Sequence, residues 1–284
     1  MLTPAAMPGA VSSLMPARDC AVRRWDGARE DDAVETVADE TPVAIVYNGR
    51  PFVVMMATPQ DLEDFVLGFS LSEGIVSDPA EVLDLRIAAV ADGIEASATI
   101  APARFLALEG MQRNLTGRTG CGLCGAQALS QAVRHPPAVG LARRMAPATL
   151  QSAIGALAGR QPINAQTGSL HAAAWIEEDG SVVLVREDVG RHNALDKLIG
   201  AVRRSGGATT GGAALITSRA SYEMVQKAAT VGIEILCAIS APTALAISLA
   251  QETGMTLVAY ARSGRHTAYA NAGRLQSHGE RAAG

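Results

Sequence analysis

Lysine is almost missing from this sequence. Of the 24 basic residues among 284, 22 are arginine and only Lys197 and Lys227 are lysine. Arginine suits bidentate contacts to phosphate, but an excess spread along the whole chain reads first as a bias of composition. The formal net charge is −4, so no overall field draws nucleic acid or an anionic membrane. Long apolar runs are absent too. No charge-free run exceeds 17 residues, and the one over 235–251 has Pro242 in its middle, too short and too broken to cross a bilayer. Cysteine is scarce: four in a chain of this size make no disulfide scaffold, so reduced thiols and a cytoplasmic location are expected. The opening "MLTPAAMPGAVSSLMPA" has no Lys or Arg and is interrupted by prolines. It makes a poor signal peptide, and residues 1–21 are expected to be a mobile tail.

What is present is a globular balance. Hydrophobic residues make up 48% and charged residues 18%, enough for a sizeable core in one large domain or two ordinary ones. After an acidic lead-in (26–40), "VAIVYNGRPFVVMM" predicts a hairpin turning at Asn48-Gly49. In "ATPQDLEDFVLGFSLSEG", Thr58 suits an N-cap, Pro59 the first helical position and Asp61 a capping box, with Gly74 as the stop. Two further strands are expected at 85–90 and 94–100, with a soft boundary near residue 115. "ALSQAVRH" predicts a helix after the cysteines, "SLHAAAWIEEDGSVVLVRED" a hairpin turning at 178–180, and "NALDKLIGAV" a helix.

From residue 213 the elements alternate. Strands at 213–217, 233–239 and 255–261 are separated by helices at 222–230 and 243–253, with Gly254 as a stop. That order implies parallel strands with right-handed crossovers. The expected fold is α/β, with a smaller N-terminal α+β domain (22–115) ahead of a C-terminal α/β domain (116–276). No internal repeat or low-complexity tract interrupts it.

Open α/β sheets bind ligands beyond the carboxyl ends of their strands. Three such ends carry small polar or basic residues: "TSRAS" (217–221), "SAPT" (240–243) and "ARSGR" (261–265). A fourth cluster, "REDVGRHN" (186–193), joins a strand to a helix start. Each has a plain structural explanation. Ser218, Ser240 and Thr243 serve as helix caps on that view, Arg262 and Arg265 as solvated charges, His192 as a satisfied loop histidine, and Asp188 and Asp196 as local caps and pairs. Their convergence on one edge points instead to a nucleotide-like ligand held by helix N-termini and arginine.

The remaining signal is "GRTGCGLCG" (117–125), which places Cys121 and Cys124 among four glycines. Structural zinc needs about four ligands; this pair supplies two. Cys20 lies near the terminus, and Cys237 in "IEILCAIS" reads as a small buried hydrophobe, so no metal site is expected. A thioredoxin-like pair follows a strand directly, whereas the approach here is the polar "MQRNLTGRTG". Deaminase chemistry requires H-x-E, but His171 is followed by two alanines. A nucleophilic thiol fits better, since Arg118 and a following helix N-terminus favour thiolate.

Six segments together resemble a known family. "ATPQDLEDFVLGFSLSEGI", "GRTGCGLCGA", "HAAA", "REDVGRHNALDKLIG", "TSRASYEMVQKAA" and "SAPTALA", in this order, are similar to the FdhD-type formate dehydrogenase accessory proteins, over about residues 22–276. "TGSLHAAA" departs from the more usual "TGGxHAAA". The resemblance implies a sulfurtransferase that accepts sulfur as a persulfide from a cysteine desulfurase and passes it to molybdenum bis-guanine-dinucleotide cofactor, before that cofactor enters formate dehydrogenase. It implies a homodimer whose C-terminal part is a three-layer α/β domain similar to the cytidine-deaminase fold without its zinc. Cys121 matches the persulfide carrier and Cys124 the second thiol. Tyr260, Ala261, Arg262, Ser263, Gly264 and Arg265 match the cofactor-binding segment, with GDP expected as a fragment ligand. The strand-end reading adds Arg219, His192 and Asn193. A non-catalytic chaperone that shields and delivers the cofactor, with the thiols as ligands to molybdenum, is the alternative; both want a thiol beside a guanine-nucleotide site.

Overall fold

Two glycines let two helices cross at close range. A computed structural model describes residues 15–113 and 134–276 of the chain. Within it helix α1 (Leu62–Ser72) crosses helix α5 (Arg191–Arg204). A Cβ on Gly68 would stand 1.7 Å from the Asp196 carbonyl oxygen, and one on Gly200 would stand 1.9 Å from that of Asp64. Only hydrogen at both positions lets the backbones touch.

This helix pair lies between two sheets. On one side β3 (Thr41–Tyr47), β4 (Arg50–Ala57), β5 (Val82–Val90) and β6 (Gly93–Ile100) form a four-stranded sheet in the order β4-β3-β6-β5. Helix α2 (Pro102–Arg113) follows it. On the other side lies a six-stranded sheet built from β7 (His171–Ile176), β8 (Val182–Asp188), β9 (Ala213–Ile216), β10 (Ile235–Ala238), β11 (Thr256–Arg262) and β12 (Arg265–Ala270), ordered β12-β11-β10-β9-β7-β8. β9, β10 and β11 are parallel, as the alternation predicted. β7 is antiparallel to both neighbours, and β12 returns antiparallel to β11.

Side chains of the central strands alternate between the two faces. Ala214, Ile216, Leu236, Ala238 and Leu257 pack toward α5, α6 (Tyr222–Thr230) and α7 (Ala244–Thr253), in a core continuous with Phe65 and Phe69 of α1. Ala213, Leu215, Ile235, Cys237 and Val258 pack on the opposite face with Leu150, Ile154 and Leu157 of helix α3 (Pro147–Leu157). A short helix, α4 (Pro162–Thr167), leads into β7. Cys237 is buried as expected, and burial pushes its thiol pKa well above the usual range.

Several expectations are met closely. Asn48 and Gly49 both have positive φ, 50° and 78°, at the β3–β4 turn. The Thr243 hydroxyl caps α7 by accepting from the Ala246 N–H, and Gly254 ends that helix at φ 74°. The 178–180 turn joins β7 to β8, with Gly180 at φ 85°.

Others are corrected. Residues 17–21, assigned to a tail, and the acidic stretch as far as residue 38 belong to a hairpin of β1 (Ala17–Asp26) and β2 (Arg29–Ala38). Cross-strand ion pairs such as Arg23–Asp32 and Arg24–Glu35 line it, which is why its charge conceals the strand pattern. Helix α1 starts at Leu62 rather than at Pro59, with Asp61 as a left-handed N-cap. The Thr58 N–H donates to Asp188 Oδ2, and the Thr58 hydroxyl accepts from the Val189 N–H, so the groups expected to cap the helix are used elsewhere. The helix expected over "ALSQAVRH" lies outside the described residues, apart from Arg134 and His135, which are not helical.

Candidate functional site: one edge of the six-stranded sheet

β8 runs in the same direction as β9, β10 and β11, so the four polar clusters do meet along one edge. His171, which opens antiparallel β7 opposite Asp188, joins them there. Across the sheet the β8 end and the β11 end are four strand positions apart, or about 19 Å at the usual strand spacing. That span suits an extended ligand better than a single small anion.

At the β8 end the geometry is built on Asp188. Its Oδ1 accepts from the Gly190 N–H at 2.7 Å and from Asn193 Nδ2 at 2.9 Å, while Lys197 Nζ stands 2.7 Å from Oδ2. These contacts fix the turn that starts α5 and present Arg191 and His192 in its first turn. His192 Nε2 lies 2.8 Å from Glu223 Oε2. His192 Nε2 therefore faces a carboxylate oxygen of the neighbouring helix. His192 holds the Glu223 carboxyl below its ordinary pKa. Burial, reinforced by the Arg191 guanidinium, lowers the pKa of His171, so its ring is neutral at pH 7. Arg191 Nε and Ser221 Oγ are buried and unpartnered; Ser221 occupies the N-cap position of α6 without making the capping bond. Two unpaired polar atoms at two helix starts, Arg191 Nε and Ser221 Oγ, are what an oxyanion would satisfy.

At the β11 end the expected loop is a tight hairpin. Arg262 closes β11 and Arg265 opens β12, paired directly across Ser263-Gly264, with Gly264 at φ 83°. Both arginines are exposed. Tyr260 adopts φ 49° at an irregularity in β11, which leaves its ring 46% exposed beside Tyr269. A non-glycine residue held there is strained, and such strain concentrates at ligand sites. Arg219, beyond β9, is exposed on the same edge.

Two of the expected ligand residues face inward. Ala261 is fully buried against the α3 face. Asn193 is 2% exposed and donates to the Met56 carbonyl as well as to Asp188, so its side chain braces the turn instead of lining the edge. Sequence reasoning included Ser221 only as part of the 217–221 cluster and passed over Glu223, which the packing of α6 beside α5 brings to His192. Ser218 is no cap; it is buried, and its hydroxyl donates to the Arg219 carbonyl. A cavity of about 420 Å³, lined by Arg143, Trp175 and Glu177 among others, lies at the opposite edge of the sheet, away from these residues.

Cys121 and Cys124 lie outside the described residues. The chain re-enters the description at Arg134, the tenth residue after Cys124. Tyr222, next to Ser221, holds that point: its hydroxyl donates to the Arg134 carbonyl at 2.7 Å and accepts from the Arg134 N–H. The Arg134 guanidinium reaches Glu73 at 2.8 Å. Among the described residues no cluster of three or more His, Cys, Asp or Glu is arranged to hold a metal, and no helix is long and apolar enough to cross a membrane.

Residues 38–276 match the FdhD/NarQ family. A sulfur carrier protein FdhD of Xanthomonas campestris pv. campestris (strain B100) is 54% identical over 257 residues, covering 89% of this chain and 90% of its own. The protein of the same name from Cupriavidus necator is 50% identical over 256 residues, covering 90% and 89%. A crystal structure of a Desulfotalea psychrophila protein described as a formate dehydrogenase accessory protein superposes with a TM-score of 0.71 at 25% identity, covering 92% of this chain and 99% of that one.

Proposed function

Because the chain belongs to the FdhD/NarQ family, we propose that it is a cytoplasmic sulfur carrier serving formate dehydrogenase. On this reading Cys121 takes sulfur from a cysteine desulfurase as a persulfide and delivers it to molybdenum bis-guanine-dinucleotide, which is substrate rather than resident cofactor. In the first step the Cys121 thiolate attacks the outer sulfur of the donor's persulfide. A new S–S bond forms, the donor's S–S bond breaks, and the donor leaves as thiolate, with no net oxidation. Releasing that sulfur as sulfide requires two electrons. The Cys124 thiolate supplies them by attacking Cys121 Sγ, which leaves a disulfide that a cellular dithiol resets.

The observation that supports this reading best is a juxtaposition. The chain leaving the thiol pair is tied by Tyr222 to the sheet edge that carries Arg191, His192 and Ser221. That edge suits the diphosphate groups of the cofactor. Arginine and helix N-termini supply charge-assisted donors, and the ~19 Å span matches a long ligand better than a mononucleotide. The β8-β7-β9-β10-β11 order is in keeping with a deaminase-like sheet put to non-deaminase use, and a homodimer is part of the same proposal.

Intact mass after incubation with a cysteine desulfurase and free cysteine tests the reading. The expected result is the mass of one added sulfur, removed by dithiothreitol and absent in Cys121→Ala. If wild type gains nothing, while still binding the cofactor, the protein is a delivery chaperone instead.

A further inference from the structure

The Arg262–Arg265 turn is held from outside its own sheet. The β11–β12 ladder slips between Ala259 and Arg262, where Tyr260 takes its positive φ, so pairing resumes only at the Arg262–Arg265 position itself. Strand pairing alone therefore fixes the turn weakly. A side chain from α3, on the second face of the sheet, supplies the missing constraint. Gln151 Oε1 accepts from the Gly264 N–H at 2.8 Å, and Gln151 Nε2 lies 2.7 Å from His266 Nδ1.

The chemistry of the partners fixes every proton in this bridge. A backbone N–H can only donate, so the amide oxygen must face Gly264. The amide NH₂ then faces His266 and can only donate to it. Nδ1 must therefore be the bare, accepting nitrogen, with the ring proton on Nε2. Burial holds the His266 pKa below the ordinary imidazole value, in keeping with a neutral ring. Gln151 thus grips the turn at its left-handed glycine and at the first residue beyond Arg265.

We infer that Gln151 is a positioning residue for the ligand edge, orienting Arg262 and Arg265 toward phosphate groups through the Gly264 and His266 contacts. Its role in binding rests on the reading of that edge as a nucleotide site; its hold on the turn does not. Gln151→Leu keeps the side-chain size and removes both polar contacts. Gln151→Glu keeps an oxygen that accepts from Gly264.

Two measurements test this in the full-length protein, with unchanged thermal unfolding as the check on folding. Amide hydrogen exchange at Gly264 should quicken roughly five- to tenfold in Gln151→Leu, the scale of one lost hydrogen bond, and stay near wild type in Gln151→Glu. Equal exchange in all three proteins overturns the inference, whether or not nucleotide binds. The second measurement is titration with GDP. Gln151→Leu should raise the dissociation constant by a similar factor; Gln151→Glu, which adds a negative charge beside the arginines, is read by exchange alone. Unchanged GDP affinity despite a loosened turn overturns the positioning role. Failure of wild type to bind GDP would count against the nucleotide reading of the edge, and the exchange measurement then decides the hold on the turn by itself.

Discussion

Lys197 Nζ lies 2.7 Å from Asp188 Oδ2, and neither side chain has any solvent exposure. The ammonium also donates to the Thr58 carbonyl at 2.9 Å. The other lysine is buried as well: Lys227 Nζ is 2.8 Å from Asp196 Oδ2 and 2.9 Å from Glu73 Oε1, and it sits 5.1 Å from the centre of the Phe69 ring. Both lysines of this arginine-rich chain are thus interior ions that join α5 and α6 to neighbouring elements. A compact ammonium on a flexible stem fits such a pocket where a forked guanidinium does not.

Lys197→Met should therefore destabilise strongly. It leaves the Asp188 carboxylate buried without its counter-charge, a loss of about 3–5 kcal/mol. Denaturant unfolding measures it. A loss below ~1 kcal/mol would mean that the Gly190, Asn193 and Thr58 donors satisfy Asp188 on their own.

Glu73 should make stability fall in acid. Burial alone would raise its pKa, but Lys227 and Arg134 outweigh burial and hold it at about 2, below the ordinary 4.5. A depressed carboxyl contributes stability that is fully present above the unfolded pKa and lost as pH falls through the folded one. Wild type should accordingly lose stability relative to Glu73→Gln between about pH 4.5 and about pH 2. Parallel unfolding curves for the two proteins across that window would refute the linkage.

Gly200→Ala should be far worse than an ordinary helix substitution. Alanine normally favours a helix over glycine, but here its Cβ would stand 1.9 Å from the Asp64 carbonyl oxygen. The helices must separate, at a cost of ~1–3 kcal/mol or more. A raised melting temperature would show that the crossing has slack.

Arg262→Ala and Arg265→Ala should each weaken GDP binding about tenfold or more, since a charge-assisted bond contributes about 1.5–3 kcal/mol. Persulfide loading of Cys121 should be unaffected. Unchanged calorimetric affinity in the double variant would shift the phosphate site to Arg191, His192 and Ser221.

Much of this protein was legible residue by residue, because the signals are local. Asn48-Gly49 determined one turn, Thr243 and Gly254 the two ends of a helix, and the alternation after residue 213 the parallel strands. The strand ends then placed Arg219, Arg262 and Arg265 on one edge, since the direction of parallel strands follows from their crossovers. Tertiary structure decided what depends on partners remote in sequence. Thr58 has a good capping side chain, yet Asp188, 130 residues away, takes its N–H and the helix starts later. Asn193 looks like a surface ligand until the Met56 carbonyl and Asp188 turn it inward. The β1–β2 hairpin carries no apolar alternation, because cross-strand ion pairs line it. Glu223 meets His192 only because α6 packs beside α5. Short-range preferences of a few tenths of a kcal/mol up to about 1 kcal/mol choose turns and caps, whereas burying or pairing a polar group is worth several times that. Where the two disagreed, the buried contact won.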